Sequence, residues 1–292
     1  MKKILITGAN SYIGVSFEKY LNDNWDKDYS IDTIDMIDGS WRNKSFCGYD
    51  VVFHVAGIAH SDNGKIKPEK EKLYRSVNTD LAIEVAKKAK DDGVKQFIFM
   101  SSEIIYGKSG KIGHKRVITK ETKPSPLNCY GDSKLQAELG IRPLSSKDFK
   151  VVILRPPMVY GKNSKGNFPT LEKFAKKINF FPYIKNERSM IYIGNLVEFV
   201  RLVIVNEEEG VFWPQNKEYS STSELTKYIR EAKGKKMHLF KGFDWLLKLM
   251  SHFTGLVNKA FGNLVYEPTM SEYKEEYRLY SLQESIRETE KE

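Results

Sequence analysis

The stretch KILITGANSYIGVSF, residues 3–17, begins as a short β-branched run and continues through a glycine-containing turn into a helical pattern. In such a strand–turn–helix unit, backbone N–H groups and the helix dipole meet at one point, which suits a pyrophosphate. Gly8 permits the tight turn and Gly14 lets the helix approach the strand, while Ser11 stands where a middle glycine is common. The stretch therefore predicts a dinucleotide site made by Gly8, Ser11, Tyr12, Ile13 and Gly14.

Beyond this unit, short β-branched runs alternate with helical patterns. Strands are predicted at 3–7, 31–35, 51–55, 96–101, 151–155 and 211–213, and helices at 14–24, 79–91, 130–139 and 195–206. The alternation predicts an α/β fold, a Rossmann-type doubly wound parallel sheet with helices on both faces. Helices dominate after about residue 160. We therefore expect a dinucleotide-binding domain over 1–161, to which some later segments return, and a smaller, mainly helical C-terminal substrate lobe over 162–292.

Composition excludes several classes of protein. The 292 residues carry 47 Lys+Arg against 38 Asp+Glu, with 40% hydrophobic residues, which excludes a disordered or fibrous chain. The basic residues are scattered over helical patterns without a nucleic-acid motif, so we expect no nucleic-acid partner. Neither a signal-peptide core nor an apolar run of about 20 residues occurs, so we expect no membrane span.

Two further features bear on location and partners. Cys47 and Cys129 lie far apart without Cys/His clustering, which predicts a cytoplasmic protein with no disulfide framework and no metal site. The stretch 243–265 has an amphipathic pattern and predicts one or two helices packed on the core. A membrane-surface or partner-binding face is the alternative for that stretch.

An acidic residue is expected at the end of the second strand, where it would bind the adenosine ribose hydroxyls. Asp35 closes the 31–35 run and is the first candidate, with Asp38 second. A carboxylate there repels a 2′-phosphate, so NAD(H) is favoured. Arg42 nearby keeps NADP(H) open.

Three side chains indicate proton transfer. Ser102 follows the 96–101 strand, at the sheet edge where such folds bind ligands, and could hold a reacting oxygen. Tyr130 and Lys134 are four apart and share one face of a predicted helix. A nearby ammonium is expected to lower the pKa of the phenol from about 10, which would make Tyr130 an acid/base near neutrality.

The order of these motifs resembles the extended short-chain dehydrogenase/reductase family, in its NAD-dependent epimerase/dehydratase branch acting on nucleotide sugars. The likeness spans nearly the whole chain and includes VFHVAG at 52–57, Asn78 as a structural asparagine, and LRPPMVYG at 154–161. It implies Ser102, Tyr130 and Lys134 as catalytic residues. It also implies cofactor contacts from Ala56, Gly57, Pro157, Tyr130 and Lys134. Asn167 and Arg188 would bind the diphosphate of a UDP-sugar, and helices 79–91 and 130–139 would form a homodimer.

Departures from the family pattern bear on the reaction. Met158 stands where epimerases usually have a substrate-binding asparagine, and Asn195 where they often have aspartate. Ser102-Glu103-Ile104 lacks the second carboxylate of the 4,6-dehydratases, which argues against dehydration.

The short connection from the second strand to Val51, the RPPMVYG segment and the 261–266 segment resemble bacterial reductases of UDP-4-keto-6-deoxy-N-acetylhexosamines, which serve surface-polysaccharide synthesis. A 4-ketoreductase is therefore the first hypothesis, and a UDP-hexose or UDP-N-acetylhexosamine 4-epimerase is the alternative. A non-catalytic NAD(P)-binding sensor is a remote third, because both Tyr130 and Lys134 are retained.

Overall fold

The computed structural model describes residues 1–59, 67–110, 113–242 and 262–291, which group into two compact units. Unit 1 comprises Met1–Gly107, Lys123–Pro156 and Val197–Pro214, and unit 2 comprises the remaining segments, 108–122, 157–196 and 215–292. This division differs from the boundary expected at residue 161. The segment 108–122 groups with unit 2, and the segment 197–214 returns to unit 1.

Unit 1 is built on one parallel sheet. Its strands are β1 (Lys2–Thr7), β2 (Tyr29–Ile34), β3 (Val51–His54), β4 (Gln96–Met100), β6 (Lys150–Leu154) and β10 (Gly210–Phe212). They pair in the order β2-β1-β3-β4-β6-β10, all parallel. Each lies within two residues of its predicted position, so the doubly wound sheet is confirmed.

The strand order reverses at β1. β2 pairs with one side of β1 and β3 with the other, and only a 3₁₀ turn, Ser40–Asn43, interrupts the connection between β2 and β3. In open α/β sheets, the carboxyl ends of the strands at such a reversal form the crevice that binds ligands. The glycine turn after β1 lies at this point.

Among the described residues, the helices of unit 1 are α1 (Tyr12–Asn24), α2 (Pro68–Tyr74), α3 (Leu81–Asp91), α4 (Cys129–Ile141) and the later part of α6 (Ile193–Val205). A π-helical turn, Arg75–Asp80, joins α2 to α3, which the helical pattern at 79–91 does not reveal. Small residues of α3, such as Ala86 and Ala89, pack with Val52 and Phe97 of the sheet. Within the described parts of the chain, no helix has the length and apolar character needed to cross a bilayer.

Unit 2 mixes helices with short strands. The helices are α5 (Asn167–Ala175), α7 (Thr222–Ala232) and α8 (Leu282–Glu290), and the strands are β5 (Arg116–Ile118), β7 (Met158–Tyr160), β8 (Phe180–Pro182), β9 (Met190–Tyr192), β11 (His238–Phe240) and β12 (Leu264–Tyr266). The strands form three two-stranded parallel sheets, β5·β12, β7·β9 and β8·β11, which the expectation of a mainly helical lobe missed.

The core of unit 2 includes Tyr160, Phe168, Met190, Leu225 and Ile286. The amphipathic stretch predicted at 243–265 lies outside the described residues, apart from its last four positions.

Candidate active site

The turn after β1 requires glycine at its first position. Gly8 has φ +111°, and its amide donates to the Ile34 carbonyl at 3.0 Å. A Cβ on Gly8 would lie 2.7 Å from the Ala56 nitrogen and 2.8 Å from its Cα. The backbone after β1 therefore passes directly against the backbone after β3, and a side chain at Gly8 would close this cradle.

Ser11 is the N-cap of α1. It has φ −70°, and its Oγ accepts a hydrogen bond from the Gly14 amide at 3.2 Å. Because this conformation needs no glycine, serine serves here, and the helix begins at Tyr12 rather than at the expected residue 14.

The close approach expected at Gly14 is present. A Cβ on this residue would lie 2.5 Å from Ser11 Oγ and 3.1 Å from the side chains of Ile6 and Val55. Helix α1 therefore lies close to the strands, and its first backbone amides follow directly after the turn at Gly8.

Two aspartates follow β2. Asp35 lies one residue beyond the strand and accepts the Ile37 amide at 2.9 Å, and Asp38 accepts the Ser40 amide at 2.9 Å. The hydrogen bond from Ser40 lowers the pKa of Asp38. Both carboxylates lie in the turn that follows β2, where the adenosine ribose is expected.

His54 closes β3 and is fully buried. Its Nδ1 lies 2.7 Å from the Thr7 hydroxyl, and its ring stacks near Phe97 and Phe99. Burial lowers the pKa of His54 to about 3, so the ring is neutral at physiological pH. The pair joins the ends of β1 and β3 beside the glycine turn.

Ser102 and Tyr130 meet at the end of β4. Ser102 caps the 3₁₀ turn Glu103–Tyr106, and Tyr130 lies in the first turn of α4, which the Asn128 side chain caps through the Gly131 amide at 2.7 Å. A hydrogen bond joins the hydroxyls of Ser102 and Tyr130. The two predicted catalytic hydroxyls are therefore brought together.

The charge state of the pair differs from the expectation. Burial raises the pKa of Tyr130 to about 12, against the smaller lowering effect of the Ser102 hydrogen bond. Lys134 does not lower the pKa of Tyr130: its Nζ donates to the Met100 carbonyl at 2.9 Å and lies 4.7 Å from the Phe99 ring centroid. Burial lowers the pKa of Lys134 to about 8. The prediction that Tyr130 and Lys134 share one helix was correct, but burial raises the pKa of Tyr130 and the expected lowering by Lys134 is absent.

Asn78, in the π-helical turn, orders the segment after β3. Its side chain accepts the Ile58 amide at 2.8 Å and donates to the Ile58 carbonyl and to Ser133 Oγ, both at 3.0 Å. A Cβ on Gly57 would lie 3.0 Å from Asn78 Oδ1 and 3.3 Å from Lys134 Nζ. The backbone at Ala56 and Gly57 thus runs between the glycine turn and Lys134, which fits an elongated dinucleotide.

Two of the predicted substrate residues, Asn167 and Arg188, lie in unit 2, whereas Ser102 lies in unit 1. Asn167 is exposed at the start of α5. Pro157, predicted to contact the cofactor, immediately precedes β7 in unit 2. The Arg188 backbone bridges to Ser220 and Leu264, and its Nε donates to the Gly262 carbonyl at 3.0 Å. Arg188 therefore has a structural contact in unit 2 in addition to any role in binding.

Asn195 is fully buried in unit 2. Its amide donates to Asn216 Oδ1 and to the Tyr280 carbonyl, both at 3.0 Å. In the described ranges, no cluster of three or more His, Cys, Asp or Glu side chains could hold a metal ion.

One buried group beside the site escaped the sequence reasoning. Glu138, four residues after Lys134 on α4, forms a buried ion pair with Arg155. The helical spacing from Lys134 is a signal that could have indicated Glu138, whereas nothing in the sequence pairs it with Arg155.

The model of the NAD dependent epimerase/dehydratase family matches residues 4–213. The chain is 29% identical over 286 residues to a UDP-glucose 4-epimerase of Vibrio cholerae, covering 90% of this chain and 86% of that protein. It is 29% identical over 257 residues to an N-acetyl-alpha-D-glucosaminyl-diphospho-ditrans,octacis-undecaprenol 4-epimerase of Escherichia coli O157:H7, covering 81% and 75%. The crystal structure of a dTDP-4-dehydrorhamnose reductase from Clostridium acetobutylicum has a similar fold, with TM-score 0.73, 20% identity and 98% coverage of both chains. This protein therefore belongs to the NAD dependent epimerase/dehydratase family and is an NAD(P)-dependent enzyme of its nucleotide-sugar branch.

Proposed function

We propose that this enzyme is a ketoreductase that reduces the C4 keto group of a UDP-linked 6-deoxy-N-acetylhexosamine with NAD(P)H. The observation that carries the proposal is the position of Tyr130 in the first turn of α4, beside Ser102 at the end of β4. The pKa of Tyr130 lies above its ordinary value, so its phenol is protonated at neutral pH. Reduction of a ketone consumes one proton at the carbonyl oxygen, and a protonated phenol beside a second hydroxyl is suited to supply it.

Each residue has one part in this step. Ser102 donates a hydrogen bond to the C4 carbonyl oxygen, and Tyr130 transfers its proton to that oxygen as the C4–H bond forms. The Lys134 ammonium would hold the nicotinamide ribose in the orientation that hydride transfer needs. When bound, the dihydronicotinamide supplies the hydride.

The cofactor would lie along the cradle in unit 1. Gly8, Ser11, Tyr12, Ile13 and Gly14 would hold the pyrophosphate at the start of α1, with Ala56, Gly57 and Lys134 toward the nicotinamide. NAD(H) is favoured because Asp35 follows β2 and because both Nε and Nη2 of Arg42 are bound to Glu84 at 2.5 Å. An arginine held in this way is less available to a 2′-phosphate.

The substrate diphosphate would be held in unit 2 by Arg188, with Asn167 at the start of α5. A guanidinium provides several donors in one plane and keeps its charge at every physiological pH. Two negative charges on a UDP group would suit a cation of this kind.

The second candidate is a 4-epimerase, which the names of the Vibrio and Escherichia relatives favour. Epimerisation would use the same three residues, but Tyr130 would first have to accept the proton of the C4 hydroxyl. An epimerase keeps its dinucleotide through the cycle, whereas a reductase exchanges it at each turnover.

Whether the dinucleotide is retained or consumed at each turnover distinguishes the two candidates experimentally. The purified protein is first tested for co-purifying dinucleotide and then incubated with NADH and a UDP-4-keto-6-deoxy-N-acetylhexosamine, with UDP-GlcNAc and UDP-glucose in parallel. Oxidation of one NADH per sugar supports the ketoreductase. Interconversion of the ordinary UDP-sugars without added cofactor supports the epimerase and overturns the first proposal. Binding of NADH without turnover of any sugar indicates the non-catalytic alternative.

We also propose a homodimer, formed on a groove of about 820 Å³ along α2, α3 and α4. Val85 and Ala89, which face the sheet, cannot contribute. Leu127 and Leu139 line the groove with 59% and 53% of their surface exposed, together with acidic Glu71 and basic Arg75. Such a mixture can complement itself across a two-fold axis. Sedimentation should show a dimer that Leu139→Glu dissociates, and a monomeric wild-type protein at micromolar concentration would contradict this proposal.

A further inference from the structure

Glu138 is the most enclosed carboxylate beside the catalytic residues. Its side chain is 1% exposed, and it accepts hydrogen bonds from Ser101 Oγ and from Arg155, whose Nη2 lies 2.5 Å from Oε2. Arg155 Nε lies 3.1 and 3.2 Å from the two carboxylate oxygens. The pair is therefore bidentate and buried.

Arg155 extends the contacts of Glu138 across unit 1. Its Nη1 donates to the Tyr106 hydroxyl at 2.8 Å, and Trp213 Nε1 donates to the same hydroxyl at 2.8 Å. One network thus joins α4 to the end of β4, the 3₁₀ turn that Ser102 caps, the residue after β6 and the residue after β10.

This network bears directly on the position of Ser102. Helix α4 holds the end of β4 at two consecutive residues, because Lys134 donates to the Met100 carbonyl and Glu138 accepts the Ser101 hydroxyl. Ser102 is the next residue of that chain segment. Its orientation toward Tyr130 therefore depends on the anchor at Ser101.

Glu138 also contributes charge behind Lys134. The two side chains are four residues apart and share one face of α4. A buried ammonium loses hydration, and an adjacent carboxylate offsets part of that cost. The Glu138 carboxylate is paired with the Arg155 guanidinium on its other side.

We propose that Glu138 is a positioning residue for the reaction: it fixes Ser101, and so Ser102, against the catalytic helix, and it supplies the negative charge that keeps Lys134 protonated. The inference rests on the proposed function in that Ser102, Tyr130 and Lys134 carry the chemistry.

The other ionisable groups near Lys134 keep one charge state between about pH 6 and 9. On β3, the pKa of His54 is lowered to about 3 by burial, so its ring is neutral. On α4, the pKa of Tyr130 is raised to about 12, and at the end of α2 burial also raises the pKa of Tyr74. Arg155, after β6, remains a cation because the pKa of its guanidinium is raised despite burial, through its hydrogen bond with Glu138. Lys134 is therefore the group that titrates in this range.

The test uses three variants of the full chain. Glu138→Gln removes the charge but leaves Arg155 buried without its partner, which can prevent folding. Glu138→Gln with Arg155→Met removes both charges, a replacement that proteins often tolerate. Glu198→Gln is the matched control. Glu198 forms a second bidentate ion pair in unit 1, with Arg201 on the same helix, α6, and both N–O distances are 2.7 Å.

Two readouts are measured against pH in each variant: kcat, and the titration of Lys134 by NMR of protein labelled with ¹³C at lysine Cε, assigned with Lys134→Arg. In the wild type, kcat should fall as pH rises through the Lys134 pKa of about 8. In the double variant the Arg155 cation is lost together with the carboxylate, so we expect a smaller shift of the Lys134 titration and a lower kcat from the lost anchor at Ser101. In Glu138→Gln, which keeps Arg155, we expect both the falling limb of kcat and the Lys134 titration to move about 1 pH unit lower, the small end of the effect of an opposite charge at about 4 to 6 Å. At a pH of about 8 this corresponds to a loss of about fivefold in kcat.

A folded Glu138→Gln variant that keeps the wild-type titration of Lys134, or a folded double variant that keeps the wild-type kcat, overturns the proposal and leaves Glu138 a structural residue. The Glu198→Gln control should keep both curves. A wild-type protein that turns over no sugar would refute the proposed function instead. The NMR titration, which needs no substrate, would still decide the role of Glu138.

Discussion

Arg42, in the turn after β2, and Glu84, on α3, form a bidentate ion pair in which both N–O distances are 2.5 Å. Both side chains are about half exposed, so water and salt weaken the contribution of the pair to stability. The pair matters for cofactor choice, because it occupies the Arg42 guanidinium. Arg42 is the residue that kept NADP(H) possible as the cofactor in the sequence analysis. In the structure its guanidinium binds the Glu84 carboxylate.

Removing Glu84 should relax cofactor choice. We expect Glu84→Gln to raise the ratio of kcat/KM for NADPH over NADH by about tenfold, because a released guanidinium can make a charge-assisted contact with the 2′-phosphate. Steady-state kinetics with both cofactors measures the ratio. Asp23→Asn, which breaks the exposed Lys19–Asp23 pair on α1, is the control and should leave it unchanged. An unchanged ratio in Glu84→Gln would mean that Arg42 does not reach the cofactor.

Adding one methyl group at Gly14 should weaken the cofactor cradle. The new Cβ would lie 2.5 Å from Ser11 Oγ, so Gly14→Ala should cost about 1 to 3 kcal/mol of unfolding free energy and raise the Kd for NADH. Ser11→Gly combined with Gly14→Ala removes that clash and should recover part of the loss, since glycine is a tolerable N-cap. Denaturant unfolding and NADH fluorescence titration test this, and full stability of Gly14→Ala would argue against the close approach.

Tyr130→Phe should separate chemistry from binding. The variant lacks the proton donor but keeps the ring, so kcat should fall about 10²- to 10⁴-fold while NADH affinity changes little. Tyr74→Phe is the matched control, because its ring centroid is 6.1 Å from that of Tyr130, and it should cost less than about tenfold. Near-normal turnover by Tyr130→Phe would refute its catalytic role.

Arg188→Leu should affect the substrate and not the cofactor. Loss of the charged contact with a diphosphate is expected to raise KM for the UDP-sugar about 10- to 100-fold. Since Arg188 also binds the Gly262 carbonyl, the melting temperature must be measured beside KM. Equal weakening of substrate and cofactor would identify Arg188 as a support of the fold. The diphosphate contact would then be sought at Lys162, Lys165 or Arg278, although Arg278 already donates to Ser271 and Gln215.

Acid should destabilise the protein through His54. In the folded chain its pKa is lowered to about 3, whereas an unfolded histidine titrates near 6.5. Between these values the unfolded state binds more protons, so the free energy of unfolding falls as pH falls below about 6.5, by about 2 kcal/mol at pH about 5. His54→Gln should remove this part of the pH dependence, measured by urea unfolding at several pH values. The exposed His238→Gln should retain it, and an unchanged slope in His54→Gln would contradict the assignment.

The central sheet could be predicted because its inner strands are buried on both faces. Such strands appear as continuous apolar runs, as in Val51–His54 and Gln96–Met100, and these runs are visible without any partner. The three-residue strands of unit 2 carry no such pattern, since a run of that length cannot establish an alternation. The π-helical turn at Arg75–Asp80 is equally hidden within one helical period.

The proposed catalytic residues followed from local spacing, but their electrostatics did not. Tyr130 and Lys134 are neighbours by helical geometry alone, whereas their pKa values depend on how far the surrounding residues exclude water. Glu138 and Arg155 are 17 positions apart and meet only in the folded chain. The sequence therefore indicated Tyr130 and Lys134, whereas the pairing of Glu138 with Arg155 required the structure.

The five crossings of the chain between the two units limit how this enzyme can be reshaped. A fragment ending at residue 161 would lack β10, so β6 would become an open edge able to pair with other chains. Because unit 2 consists of three separate segments of the chain, a single recombination event cannot replace it as a whole. Acquiring the sugar preference of a relative by transplantation would require three coordinated grafts, and gradual change of individual side chains is the more accessible route to a new substrate.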